Sequence, residues 1–74
     1  MNTKRHWLKA ARVEKSLSQE KLGKIVGVDI TAIGKYELGK RTPHHTTAKK
    51  IAQVLGFEWT RFYDDDTQNM AGAN

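Results

Sequence analysis

Residues 18–41 of the chain read "SQEKLGKIVGVDITAIGKYELGKR" and decide its fold. The stretch contains two short segments with apolar residues at helical spacing. Each segment starts at a residue type that caps helix N-termini, Ser18 and Asp29. A glycine inside a helix costs about 1 kcal/mol relative to alanine, so the glycines need a structural reason. Gly27 suits a tight turn with positive φ, and Gly23 suits a close crossing of the two helices.

The pattern predicts a helix-turn-helix unit whose two helices pack through apolar side chains. The unit is predicted to end at Gly39, which follows the last apolar residue of the second helix. The residues predicted to be buried in this unit are Leu22, Ile25, Val26, Val28, Ile33 and Tyr36.

The rest of the chain also has helical patterns, and its strand signals are weak. Helix 1 is predicted over about residues 4–15. Helix 4 is predicted to begin with Thr42 as its N-cap and Pro43 as its first residue, and to end at Gly56. A short helix 5 is predicted over about residues 58–63. The result is a compact all-α, five-helix domain over residues 1–66, followed by a disordered tail over residues 67–74.

Composition and charge narrow the class of protein. The 74 residues include 13 Lys and Arg against 8 Asp and Glu, a net charge of +5, and three of the acids are Asp64, Asp65 and Asp66. The part before these acids is therefore strongly basic, which most often indicates nucleic-acid binding. Binding to a membrane surface ranks lower, because the basic residues do not form one amphipathic face. No cysteine and no signal peptide are present, so a reducing cytoplasm is expected.

No group of residues points to catalysis or to a cofactor. The folded part has no cysteine nucleophile, no paired carboxylates and no phosphate-binding glycine loop after a strand. His44 and His45 are adjacent, so on a helix they diverge by about 100° and chelate a metal poorly. Neither a cofactor, nor a metal site, nor an enzymatic activity is therefore predicted.

Residues 5–63 resemble the Cro/repressor type of helix-turn-helix protein, also called the Xre family, of phage and bacterial regulators. The resemblance is carried by "LSQEKLGKIVGVDITAIGKYELGKRTP" and the later "AKKIAQVLGF". It implies a lambda-repressor-like fold that places helix 3 in the major groove of double-stranded DNA. It also implies that Arg12 and Glu37 form an ion pair that fastens the fold.

The resemblance further implies a set of DNA-binding residues. Gln19 corresponds to a phosphate-binding residue at the start of helix 2, where the helix dipole assists. The matching positions of helix 3 correspond to base contacts, and those of the following loop correspond to phosphate contacts. Ile30 departs from the polar residues common at its place, and it is limited to an apolar contact such as a thymine methyl. The residues at these matching positions are Gln19, Ile30, Thr31, Gly34, Lys35, Lys40, Arg41 and Thr42.

Several basic or small residues have structural alternatives. Gly34 either permits close approach to the groove or is tolerated because nothing there needs a side chain, and the second alternative is slightly favoured. Thr42 either contacts a phosphate or only caps helix 4. Lys4, Arg5 and His6 either add phosphate contacts or form a solvated chain end.

These features favour a sequence-specific transcriptional regulator, most simply a repressor. One such domain reads about 4–6 bp, so a homodimer on a palindromic operator is expected, weakly associated without DNA. Trp59, Phe62 and Tyr63 are candidates for its interface, with a core role favoured for Trp59 and Phe62. The alternative is a protein-interaction module that uses the same fold, such as an antitoxin or a regulatory partner. A protein antirepressor or another protein is also considered as a partner of the regulator. The regulator is expected in the bacterial cytoplasm, associated with the nucleoid.

Overall fold

A computed structural model of the chain describes residues 4–64, which form five helices and no strand. α2 and α3 pack closely together, α1 packs on α3, and α4 packs on α2. The predicted all-α fold with a helix-turn-helix at α2 and α3 is confirmed. The predicted tail over residues 67–74 lies outside the described residues, as do Asp65 and Asp66. The helices are α1 (His6–Glu14), α2 (Gln19–Val26), α3 (Ile30–Leu38), α4 (His45–Leu55) and the short α5 (residues 61–64).

The helix-turn-helix unit begins and ends as its sequence predicts. Ser18 Oγ accepts a hydrogen bond from Lys21 N over 3.0 Å, and Asp29 Oδ2 accepts one from Thr31 N over 3.1 Å. Each bond satisfies a backbone N–H that has no partner within its helix. Gly27 follows α2 with a φ of 80°, so the turn uses the left-handed conformation expected there.

Gly23 lies where α2 meets the turn. A β-carbon at this position would lie 2.6 Å from the carbonyl oxygen of Val28, far inside van der Waals contact. The amide of Val28 is itself bonded to the Gly23 carbonyl over 2.8 Å, which holds that part of the turn in place. The close approach expected at Gly23 is therefore present, and its partner is the backbone of the turn.

One core joins the described helices. Phe62 of α5 is 0 % exposed, and its ring centroid lies 5.4 Å from that of Trp7 and 5.6 Å from that of Phe57. Phe62 therefore has the core role that was favoured for it, and it offers no surface for a dimer contact. Its companions in the core are Leu8, Leu22, Val26, Ala32, Ile33, Tyr36, Ala48, Ile51 and Leu55.

The prediction that Ile25 is buried is wrong, because its side chain is 55 % exposed. The buried face of α2 is centred on Leu22, Gly23 and Val26. At about 100° per residue, Ile25 lies roughly 100° away from the middle of that face. The bare Gly23 occupies the core-facing position because the turn passes directly over it.

The predicted start of helix 4 is also wrong. The helix begins at His45, and His44 is its N-cap, with Nδ1 accepting from Thr46 N over 3.4 Å. Thr42 does not cap the helix, because its hydroxyl is bonded to Arg5 over 2.9 Å. Pro43 is buried, and its carbonyl accepts a hydrogen bond from the Tyr63 hydroxyl over 3.0 Å. These contacts hold residues 42 and 43 outside the helix.

Candidate nucleic-acid interface

The exposed face of α3 carries the residues expected to meet base edges. At about 100° per residue, positions 30, 31, 34, 35 and 38 share one side of the helix. Positions 32, 33, 36 and 37 share the other side and are buried. On the accessible side, Ile30 is 47 % exposed and Leu38 is 44 % exposed. Thr31 and Lys35 are exposed between them, and Gly34 is half-buried. We call this side the α3 strip; it consists of Ile30, Thr31, Gly34, Lys35 and Leu38.

Gln19 begins α2 beside the middle of the α3 strip. A β-carbon at Gly34 would lie 3.8 Å from Gln19 Nε2 and 3.9 Å from Gln19 Oε1. Gln19 Nε2 also donates a hydrogen bond to Glu37 Oε1 over 3.1 Å. The first residue of α2 and the α3 strip therefore meet on one surface.

The carboxylate of Glu37 joins three helices at this surface. Arg12 Nε donates to Glu37 Oε2 over 2.6 Å, and Arg12 Nη2 donates to Oε1 over 3.3 Å. The Arg12 and Glu37 side chains are only 10 % and 6 % exposed. Arg12 Nη1 donates to the carbonyl of Leu17 over 2.8 Å, which satisfies another of its donors. The expected ion pair is therefore present, and the same carboxylate orients the amide of Gln19.

The loop after α3 carries the remaining expected contact residues. Lys40 N donates to the carbonyl of Lys35 over 3.0 Å, which ties the start of the loop to the end of α3. The Lys40 and Arg41 side chains are exposed, whereas Thr42 is half-buried. Two cations therefore project from the loop, and the Thr42 hydroxyl is engaged by Arg5.

Arg5 does not lie at a solvated chain end or point toward a ligand. It is 2 % exposed, and its guanidinium donates to the carbonyl of Tyr36 over 2.8 Å and to the carbonyl of Arg41 over 3.1 Å. The phosphate contact and the solvated end that were considered for Arg5 are both wrong. Sequence reasoning missed this role, because the acceptors come from a segment more than thirty residues away.

An open groove of about 450 Å³ lies between the start of α1 and the α3 strip. Lys4, His6 and Lys9 line it from the side of α1. Gln19 and Gly34 line it from the sides of α2 and α3. The groove therefore brings basic side chains of α1 and of the residue before its N-cap next to the surface expected to face DNA.

The two adjacent histidines do not diverge as predicted. His44 precedes α4, and its ring centroid lies 4.1 Å from that of His45. Its Nδ1 is 2.7 Å from the Thr46 hydroxyl. Within residues 4–64, no three His, Cys, Asp or Glu side chains gather as a metal site requires. None of the described helices has the length and hydropathy needed to cross a bilayer.

Comparison with known proteins tests the resemblance. A family model described as Helix-turn-helix matches residues 8–62. The chain belongs to this family. Its members of the Cro/repressor, or Xre, type are DNA-binding transcriptional regulators, and the match covers α2, α3 and most of the core described above.

Two relatives of this helix-turn-helix chain are from Bacillus subtilis strain 168. The uncharacterized HTH-type transcriptional regulator YqaF is 39 % identical over 61 residues, which cover 82 % of this chain and 80 % of YqaF. The SPbeta prophage-derived uncharacterized HTH-type transcriptional regulator YonR is 37 % identical over 49 residues. That match covers 66 % of this chain and 45 % of YonR, so it spans less than half of that relative.

Proposed function

We propose that the chain is a sequence-specific repressor that binds a palindromic operator as a homodimer through residues 1–66. The observation that carries this proposal is the α3 strip, which is accessible along its length while the opposite face of the same helix is buried. Helices of this width fit the major groove of B-DNA, where each base pair presents a distinct pattern of donors and acceptors. The site of action is the bacterial cytoplasm, on the nucleoid.

The α3 strip offers three kinds of base contact. Lys35 supplies a cation that donates to guanine O6 and N7. Thr31 supplies a hydroxyl and a methyl group, and Ile30 supplies only apolar surface, suited to a thymine methyl. Gly34 leaves room at the middle of the strip, beside Gln19. We therefore expect an operator half-site that combines a guanine opposite Lys35 with a thymine near Ile30.

Phosphate contacts come from residues that flank the strip. Gln19 lies at the N-terminus of α2, where the helix dipole favours an anion, and Lys40 and Arg41 project from the loop after α3. Thr42 follows these two cations in the loop and would border the phosphate that they bind, with its hydroxyl held by Arg5. Such contacts set the position of the domain on the duplex and carry no sequence information themselves.

The dimer would use the half-buried aromatic residues at the end of the described chain. The rings of Trp59 and Tyr63 lie 5.7 Å apart, and Lys49 Nζ lies 4.9 Å from the centroid of Trp59. Two half-sites about one helical turn apart would then bind the two copies of α3. Two aromatic side chains from each copy would bury only a small area, so the dimer would form mainly on DNA.

The first test is selection from random duplexes at near-physiological salt, followed by sequencing of the bound pool. A palindromic motif with half-sites about 10 bp apart supports the proposal. Lys35→Ala should change base preference at one position of each half-site. Lys40→Ala should weaken binding to all sequences and reduce the salt slope by about 1. Lys50→Ala, an exposed lysine of α4, is the matched control and should do neither.

An unenriched pool would contradict sequence-specific binding. If retention also disappeared on modest added salt, only non-specific charge attraction would remain, and a protein partner would become the better hypothesis. If Lys35→Ala bound the same motif as the wild type, the assignment of the α3 strip as the reading surface would be wrong.

A further inference from the structure

We infer that Arg5 is a positioning residue for DNA binding, because its guanidinium holds the loop that presents Lys40 and Arg41. The inference rests on the proposed function, since it concerns the same phosphate contacts. Arg5 itself is 2 % exposed and cannot reach a phosphate, so any effect of Arg5 on binding must pass through the residues it holds.

The bonds of Arg5 span the loop from one end to the other. Its Nη1 donates to the carbonyl of Tyr36, in the last turn of α3, over 2.8 Å. The same nitrogen donates to the carbonyl of Arg41 over 3.1 Å, and Nη2 donates to Thr42 Oγ1 over 2.9 Å. The backbone N–H of Arg5 adds a bond to the carbonyl of Glu37 over 2.8 Å. The segment between the two fixed ends contains Lys40.

A guanidinium suits this task better than an ammonium. Its donors lie in one plane at fixed angles, so it can bond three acceptors that differ in position but lie near that plane. The positive charge sits at the C-terminus of α3, where the helix dipole favours a cation. Arg5 Cζ also lies 5.5 Å from the centroid of Phe62, so the core supports the guanidinium from another side. Arg5→Lys would keep the charge and lose the planar set of donors.

Two roles for Arg5 make different predictions. If Arg5 only stabilises the fold, its replacement lowers the free energy of unfolding and leaves the salt dependence of DNA binding by the folded protein unchanged. If Arg5 positions the loop, its replacement also removes ordered phosphate contacts. Each lost contact reduces the slope of log affinity against log salt by about 0.9 on B-DNA.

The experiment measures duplex binding by the wild type and by Arg5→Lys between about 50 mM and 200 mM salt. Circular dichroism first establishes that each variant is folded. Loss of one or two phosphate contacts should lower the slope by about 0.9–1.8, so the deficit of Arg5→Lys should be about 3.5- to 12-fold greater at 50 mM than at 200 mM salt. Ile51→Val is the matched control, because it weakens the buried core at α4 and should keep the wild-type slope.

A double-mutant comparison completes the test. In a protein that already carries Lys40→Ala and Arg41→Ala, Arg5→Lys should cause no further loss of slope. A folded Arg5→Lys with the wild-type slope, or a loss that adds fully to that of the loop substitutions, would overturn the inference. A wild type that shows no salt-dependent duplex binding would instead overturn the proposed function.

A second variant serves if Arg5→Lys does not fold. Thr42→Val removes the acceptor of the Nη2 bond and leaves Arg5 in place. The positioning role predicts a reduced slope for Thr42→Val alone and no further loss from it when Lys40 and Arg41 are both alanine. A slope loss that persists in that background would mean that Thr42 affects phosphate binding by a route other than Lys40 and Arg41, and an unchanged slope for Thr42→Val alone would mean that its bond to Arg5 does not order the loop. Either result would count against the inference.

Discussion

Gly23 and Gly34, the two glycines inside the helices of the helix-turn-helix unit, should respond in opposite directions to alanine. Both have ordinary negative φ, so the backbone itself accepts alanine at either position. The helix propensity of alanine then favours each substitution by about 1 kcal/mol. What differs is the space that the new methyl group enters.

The magnitudes follow from the neighbours of each added carbon. At Gly23 the carbon would lie 2.6 Å from the Val28 carbonyl oxygen, so the backbone of the turn would have to move. Overpacking costs about 1–3 kcal/mol, and the rigid partner places this case near 3, which leaves a net loss of about 2 kcal/mol. At Gly34 the nearest atoms belong to the Gln19 side chain at 3.8 and 3.9 Å, which is ordinary contact. Gly34→Ala should therefore stabilise by about 1 kcal/mol.

Thermal unfolding followed by circular dichroism measures this difference. A separation of about 3 kcal/mol between the two variants corresponds to roughly 12–24 °C in Tm for a domain of this size. Urea unfolding at one temperature provides the check, since the midpoints should differ while the m-values stay equal. If Gly23→Ala were as stable as Gly34→Ala, the close approach at the turn would not limit the residue at position 23, and the reasoning would fail.

Gly34→Ala also tests whether that glycine permits close approach to the groove or is merely tolerated. Because the substitution should stabilise the fold, any loss of DNA binding could not be due to unfolding. A loss of duplex affinity in this more stable protein would show that the bare backbone permits close approach to the groove. Unchanged affinity would show that a side chain is merely not needed there.

Three further substitutions test the packing and the ion pair. Ser16→Gly should raise the free energy of unfolding, measured in urea, by about 0.5–1 kcal/mol, because Ser16 holds a φ of 60° that glycine adopts without strain; a lower free energy of unfolding would contradict this. Phe62→Ala should cost about 3–5 kcal/mol and remove most helical signal at 25 °C, and a near-wild-type Tm would contradict the central place of α5 in the core. Glu37→Gln should cost about 3 kcal/mol, because it leaves the buried Arg12 guanidinium without its carboxylate. A loss of less than about 1 kcal/mol in the free energy of unfolding, obtained from thermal melts, would show that Arg12 needs only the carbonyl of Leu17 as its acceptor.

Local sequence determined the helix-turn-helix unit. Ser18, Asp29 and Gly27 act through their own backbone neighbours, so their type and spacing predict where α2 and α3 begin and where α2 ends. The exposed strip of α3 follows from the same locality, because the helical period of about 3.6 residues places the accessible positions on one side and Ile33 and Tyr36 on the other. The ion pair between the distant residues Arg12 and Glu37 was predicted from the family resemblance, because helical periodicity alone cannot predict it.

Long-range packing determined the features that sequence reasoning missed. Ile25 is apolar and fits a helical stripe, yet it is exposed because the turn passes over Gly23 instead. Thr42 is a good cap type before a proline, yet α4 starts at His45 because Arg5 holds the Thr42 hydroxyl. In both cases a contact from elsewhere in the chain outweighed a local preference of about 1 kcal/mol.

Arg5 is the clearest example of a residue whose environment could not be predicted from the sequence. Beside Lys4 and His6 in the sequence, it has the pattern of a solvated basic end. Its burial is possible only because the folded chain brings two carbonyls and a hydroxyl from residues 36–42 to its guanidinium. The positions of the helical segments and the exposed face of α3 can be predicted from the sequence, since they depend on neighbours within about one turn. The acceptors of a buried charge cannot, since they lie on segments that are distant along the chain and meet only in the folded protein.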